Sequence, residues 1–173
     1  LWEDINTVGT VSGTATRVNV KDDAAEIQDG VDVAVSGALV TVAVGEYNED
    51  VLIDGKNIDL EGARKNADAR GRTGLESTIN GGVTFKGVTD GSVKGFSIDG
   101  GAIGVRVEDS SNLVIANNII SNQNASGYDD DGVYVEDSQD VTIQKNAISN
   151  SGDDGIHVRG DVTGLEIKSN TID

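Results

Sequence analysis

The sequence predicts an all-β fold, a right-handed parallel β-helix with three short strands per coil and a short capping helix near its N-terminal side. Three observations predict it: a repeat of 22–28 residues, strict alternation of apolar residues inside each repeat, and one column of Asn shared by three repeats. The segments GVRVEDSSNLVIANNIISN from Gly104, GVYVEDSQDVTIQKNAISN from Gly132 and GIHVRGDVTGLEIKSNTID from Gly155 align at spacings of 28 and 23 residues. A fourth copy, GVTFKGVTDGSVKGFSIDG, begins 22 residues earlier at Gly82. A fixed repeat of this length marks a solenoid, in which one coil cannot bury its apolar face and stacked coils can.

The N-terminal third fits a beginning, with a strand and capping helix expected over residues 1–38 and coils over 39–173. Asp22 and Asp23 are suited to cap a helix. Ala24, Ile27, Val31 and Val35 then fall on one helical face, which would cover the first coil. Strand-like runs follow at 40–44, 51–53 and 58–60. The stretch 61–77 interrupts the coils with a polar loop carrying Arg64, Lys65, Arg70 and Arg72. It is expected to form a mobile lobe, with a clamp on an acidic partner as its functional option.

Within the repeats, Val105 and Val107 match Val133 and Val135, then Ile156 and Val158. Leu113 and Ile115 match Val141 and Ile143, then Leu165 and Ile167; Ile120 matches Ile148 and Ile172. Alternation is the strand period, so these are inward positions of three strands per coil. Asn118, Asn146 and Asn170 share a column between the second and third strands, with Phe96 in its place upstream. An Asn at a tight turn tolerates left-handed backbone and bonds locally, and stacked Asn amides bond each other. This column resembles the asparagine ladder of pectate-lyase-like right-handed β-helices.

Composition bounds the function. Hydrophobic residues are 36 % and aromatics 3 %, so the core is aliphatic. There is no Cys, which excludes disulfides and thiolate metal sites. The formal charge of −17 repels phosphate backbones, so nucleic acid is not an expected partner. No apolar run is long enough to span a bilayer and no signal peptide is visible. The chain lacks Met, and it reads as a mature or excised piece of something longer. The last repeat stops at Ile172-Asp173, leaving Leu165, Ile167 and Ile172 without a cap; end-to-end stacking or continuation in a longer chain is expected there.

Outward positions of the first strands carry the candidate ligand-binding residues. Thr84, Arg106, Tyr134 and His157 form one column, and Lys86, Glu108, Glu136 and Arg159 the next. Arg106, Tyr134, His157 and Arg159 are the candidates for glycan contact. Asp129, Asp130 and Asp131 precede one strand and Asp153 and Asp154 the next, an oxygen-rich cluster suited to Ca²⁺. The same Asp-Gly pairs also serve ordinary turns.

The stretch DDDGVYVEDSQDVTIQKNAISNSGDDGIHVRG resembles the core of polygalacturonase-type glycoside hydrolases. That resemblance implies that Asp131 matches the acidic residue of an Asn-Thr-Asp-Gly pattern, and Asp153 and Asp154 the Asp pair one coil later. In such enzymes these carboxylates protonate the glycosidic oxygen and activate water. His157 joins them as a catalytic candidate, although it lies outside the family's Gly-His-Gly context. Asp129 and Asp130 stand where Asn-Thr is expected. A lyase would instead use the Asp cluster with a cation and Arg106 or Arg159. More broadly, GEYNEDVLIDGKNIDLEGA and STINGGVTFKGVTDGSVKGFSIDGG resemble β-helix repeats of large bacterial exported proteins, including adhesins. That likeness implies a secreted or cell-surface location. The leading expectation is a non-catalytic structural, adhesive or assembly module; the alternative is a fragment of a polysaccharide-active enzyme.

Overall fold

The computed structural model describes residues 15–21, 25–124 and 130–173. The chain starts with β1 (Ala15–Val20), α1 (Ile27–Val33) and β2 (Ala34–Val42). The first full coils follow as β3 (Gly45–Tyr47), β4 (Val51–Asp54), β5 (Ile58–Glu61), β6 (Ser77–Asn80), β7 (Val83–Lys86), β8 (Gly91–Lys94) and β9 (Ser97–Asp99). The regular repeats give β10 (Val105–Glu108), β11 (Leu113–Ala116), β12 (Ile119–Ser121), β13 (Val133–Glu136), β14 (Thr142–Gln144) and β15 (Ala147–Ser149). The last coil holds β16 (Ile156–Arg159), β17 (Glu166–Lys168) and β18 (Thr171–Ile172). They form three parallel sheets, ordered β1-β2-β5-β8-β11-β14-β17, β16-β13-β10-β7-β4 and β18-β15-β12-β9-β6-β3. From β2 onward every third strand joins the same sheet, the path of a parallel β-helix, whose crossover connections are right-handed.

The registers are those the repeats imply. Val105 pairs with Val83 and Val133, and Val133 with Ile156. Val107, Ile115, Ile120, Val135, Ile143 and Ile148 lie inside the stack with at most 1 % of their surface exposed. In the last coil Val158, Ile167 and Ile172 are exposed.

The Asn column is a bonded ladder. The Asn118 and Asn146 side chains are fully buried. Phe96 N–H donates to Asn118 Oδ1 (3.1 Å), Asn118 N–H to Asn146 Oδ1 (2.9 Å) and Asn146 N–H to Asn170 Oδ1 (2.9 Å). Each Nδ2 also donates to a carbonyl of the preceding coil: Val93, Ile115 and Ile143 in turn. One detail differs from expectation. The left-handed backbone belongs to the residue before each ladder position, namely Gly95, Asn117, Lys145 and Ser169, with φ between 55° and 78°. The ladder amide therefore acts as a bonding group, and its neighbour makes the bend. Ser110 and Ser138 form a second buried ladder, unforeseen in the sequence: Val88 N–H donates to Ser110 Oγ (3.0 Å) and Ser110 N–H to Ser138 Oγ (3.1 Å).

The short helix covers the free edge of β4 by side-chain bonds. Glu49 accepts from the N–H groups of Ile27 (2.7 Å) and Gln28 (2.9 Å), capping α1 from the adjoining coil. The Gln28 amide mimics a peptide group, accepting from Leu52 N–H (2.8 Å) and donating to Leu52 O (3.1 Å). Lys56 Nζ donates to the carbonyls of Val31 (3.2 Å) and Asp32 (2.9 Å) at the other end. Two expectations change here. Glu26 is the N-cap residue and its side chain makes no capping bond, while Asp22, Asp23 and Ala24 lie outside the described residues. Val35 belongs to β2, because the helix ends at Val33, and β2 runs across the expected boundary at 38/39.

The basic insertion between β5 and β6 is docked on the coils rather than standing free. Arg72 is almost buried, and pairs with Glu76 at 3.0 Å. Its guanidinium donates to the carbonyls of Ala67 (2.8 Å), Asn117 (2.8 Å) and Phe96 (3.2 Å), so it ties three segments together. Asn117 Nδ2 donates to Lys65 O (2.7 Å). Gly95 is required beneath it: a Cβ there would strike the backbone of Arg64 and Lys65. Arg64 donates to Leu75 O, Lys65 pairs with Glu61 and Arg70 with Asp68. All four basic side chains thus have partners within the insertion or its base.

Candidate functional site

Alternation along β4, β7, β10, β13 and β16 turns every second side chain outward. Registration then stacks Leu52, Thr84, Arg106, Tyr134 and His157 in one outward column, and Asp54, Lys86, Glu108, Glu136 and Arg159 in the next. Both columns follow the alignment of the repeats.

The first column is packed from Arg106 to His157. Arg106 Cζ lies 4.6 Å from the centroid of the Tyr134 ring, a cation–π contact. The Tyr134 and His157 rings are 5.2 Å apart at 55°. Tyr134 therefore has both faces occupied and retains 4 % of its surface exposed. Its hydroxyl donates to Glu136 Oε2 (3.0 Å); burial, then this bond, pushes the phenol above its ordinary range. Arg106 bonds Glu108 (2.7 Å), and Arg159 lies 3.5 Å from Glu136. Tyr134 is thus the wedge of a stack, Arg106 is bonded to Glu108, and Arg159 pairs with Glu136 from an exposed position.

Beside Arg106 the same face opens into a groove of about 560 Å³, lined among others by Asp50, Leu52, Thr84, Ile103 and Arg106. Leu52 is 46 % exposed on an otherwise polar face. Asp50 Oδ1 accepts from Gly82 N–H (2.8 Å), which fixes the carboxylate at the rim. Asp50, Leu52 and Ile103 were not foreseen as site residues. The available signal was Leu52 itself, an apolar residue between the inward Val51 and Ile53.

At the other end of the column, carboxylate oxygens of Asp131, Asp153 and Asp154 and a nitrogen of His157 all lie within 4.8 Å of one another. Coil stacking makes this cluster: Asp154 N–H donates to Asp131 Oδ1 (3.0 Å), and Gly132 N–H to Asp154 O (2.9 Å). Asp131 has no exposed side-chain surface, whereas Asp154 is 59 % exposed and His157 28 %. His157 Nδ1 is 3.3 Å from Asp131 Oδ2 and 3.6 Å from Asp154 Oδ2. Neither Asp131 Oδ2 nor His157 Nδ1 has a hydrogen-bond partner. Burial pushes the Asp131 carboxyl above its ordinary value; the Asp154 N–H and His157 oppose this, and the charges of Asp153 and Asp154 reinforce it. Asp130 is buried and its carbonyl accepts from Asp153 N–H (3.1 Å), but its carboxylate is not part of this group. Asp129 lies outside the described residues.

The family model described as "Right handed beta helix region" matches residues 9–172. The chain belongs to that family, and its three parallel sheets are consistent with it. No curated protein and no solved structure matches it. Among the described residues, no helix is long and apolar enough to cross a membrane.

Proposed function

We propose that this β-helix is a non-catalytic module of a secreted or cell-surface protein, and that it holds a neutral polysaccharide along the outward face of β4, β7 and β10. The groove beside Arg106 carries the reading. It joins an exposed apolar residue, Leu52, to fixed polar groups at Asp50 and Arg106, the mixture that sugar rings with apolar faces and hydroxyl edges require. A formal charge of −17 disfavours polyuronates and leaves neutral glycans as the better class. The stacked coils supply a rigid support, since each strand is paired in register with its neighbours.

The carboxylate cluster favours a second reading, a polysaccharide hydrolase using Asp131, Asp153 and Asp154. Two features bear on it. Asp131 has no exposed side-chain surface with which to meet a substrate. The nearest donor atoms lie within 4.8 Å of one another, closer than the about 6.5–9.5 Å between the carboxyl groups of an inverting pair and nearer the about 5–5.5 Å of a retaining pair. The discriminating experiment combines calorimetric binding of neutral oligosaccharides with an assay for reducing ends. Binding that weakens on Arg106→Ala, with no reducing ends released, is expected. Release of reducing ends that stops in Asp154→Asn establishes the hydrolase instead.

A further inference from the structure

The sequence suggested Ca²⁺ for the acidic cluster, but the donors brought together include an imidazole. We propose that Asp131, Asp153, Asp154 and His157 form a binding site for a zinc-class divalent ion. The proposal is independent of glycan binding, and it rests on four observations.

The first is the orphaned pair at its centre. Asp131 Oδ2 and His157 Nδ1 are buried, face each other at 3.3 Å, and lack hydrogen-bond partners. With a protonated imidazole the two groups attract as an ion pair; with Nδ1 unprotonated, a carboxylate oxygen and a lone pair at that distance repel unless a cation lies between them, so a proton and a metal ion compete for the same place. A buried acceptor left unsatisfied costs about 1–3 kcal/mol. The fully buried Asp131 side chain points into the cluster, and its other oxygen is held by Asp154 N–H.

The second observation is spacing. Donors bound tetrahedrally at about 2.0–2.1 Å from a metal lie roughly 3.3–3.4 Å apart. The separations from His157 Nδ1 are 3.3 Å to Asp131 and 3.6 Å to Asp154, close to that spacing, while the full set of four donors lies within 4.8 Å and must draw in around an ion. The third is donor chemistry. Ca²⁺ takes six to eight oxygens, whereas imidazole with carboxylates suits Zn²⁺ and its neighbours. The fourth is support. The Tyr134 ring packs against the imidazole, Asp131 is fixed by a backbone N–H, and both sit on registered strands. Asp154 and Asp153 are exposed, which leaves an entry path.

His157 is the sole His of the chain, and there is no Cys. Its imidazole resonances therefore report on this site alone. Metal-free protein is titrated with Zn²⁺, and separately with Ca²⁺, by calorimetry and by NMR of the His157 ring. One equivalent of Zn²⁺ is expected to bind and to shift those resonances, while millimolar Ca²⁺ leaves them in place. His157→Gln and Asp131→Asn, each checked for folding by melting curves, should weaken Zn²⁺ binding roughly tenfold or more, the scale on which coordination-shell changes act. Co²⁺ should add visible absorption bands in the wild type that both variants lack. The proposal is overturned if both variants keep wild-type Zn²⁺ affinity. It is also overturned if Zn²⁺ and Ca²⁺ raise the melting temperature equally without moving the His157 resonances, the mark of diffuse cation association with an acidic surface.

Discussion

At the scale of the residue, the ladder and the acidic site follow the same physics with opposite signs. Asn146 satisfies its neighbours: it accepts from Asn118 N–H and Nδ2, and donates to Ile115 O and Asn170 Oδ1. Asn146→Ala leaves buried groups unpaired and should cost roughly 1–3 kcal/mol in denaturant unfolding. Asn170→Ala, at a half-buried position with fewer partners, should cost less. Asp131 is the reverse case, since burial raises its pKa above the ordinary 3.8. Its folded form thus holds the proton more tightly than its unfolded form. Stability is greatest while the carboxyl is protonated and falls as pH rises from the usual Asp range through the folded titration. In metal-free buffer, Asp131→Asn should therefore melt above wild type at neutral pH, and the difference should vanish at acid pH. A wild-type advantage at neutral pH would show that the carboxylate is stabilised where it lies. The Asn column and the outward columns were legible because identical residues recur at aligned positions. The Asp131–His157 contact was half legible: both residues were singled out, but only strand register reveals that they meet.

At the scale of the element, side chains close what backbones leave open. Gln28 completes the edge of β4 and Glu49 caps α1, yet neither has a sequence signature, because the partner lies 24 and 21–22 residues away. The docked insertion was hidden for the same reason. Its four basic residues suggested a free polar lobe, whereas Arg72 is directed inward onto the carbonyls of Phe96 and Asn117. Arg72→Met removes these bonds and strands Glu76. The cheapest relief is undocking of residues 62–76, since Glu76 then reaches water. Trypsin should accordingly cut the variant at Arg64, Lys65 and Arg70 at least about tenfold faster than wild type, the effect of 1.4 kcal/mol or more on a local opening equilibrium. Unchanged cleavage would mean that the insertion is held chiefly by Asn117 and the backbone over Gly95.

At the scale of the whole molecule, a stack of registered coils turns a repeat in sequence into straight columns in space. Three sheets result, and the outward column of one of them links the Leu52–Arg106 groove to the Asp131–His157 cluster through the Arg106–Tyr134–His157 stack. The architecture was legible in the repeats. The groove was not, because it arises where residues 101–103 stand beside the strand face, outside the aligned positions. On the reading proposed above, this face is a binding surface and not a catalytic cleft. Titrating isotope-labelled protein with neutral oligosaccharides, and following every backbone amide by NMR, decides between the two. Shifts confined to Asp50, Leu52, Thr84, Ile103 and Arg106, with the oligosaccharide recovered intact, are predicted. Cleaved oligosaccharide with shifts centred on Asp131, Asp153 and Asp154, or no saturable shift for any glycan, would contradict it.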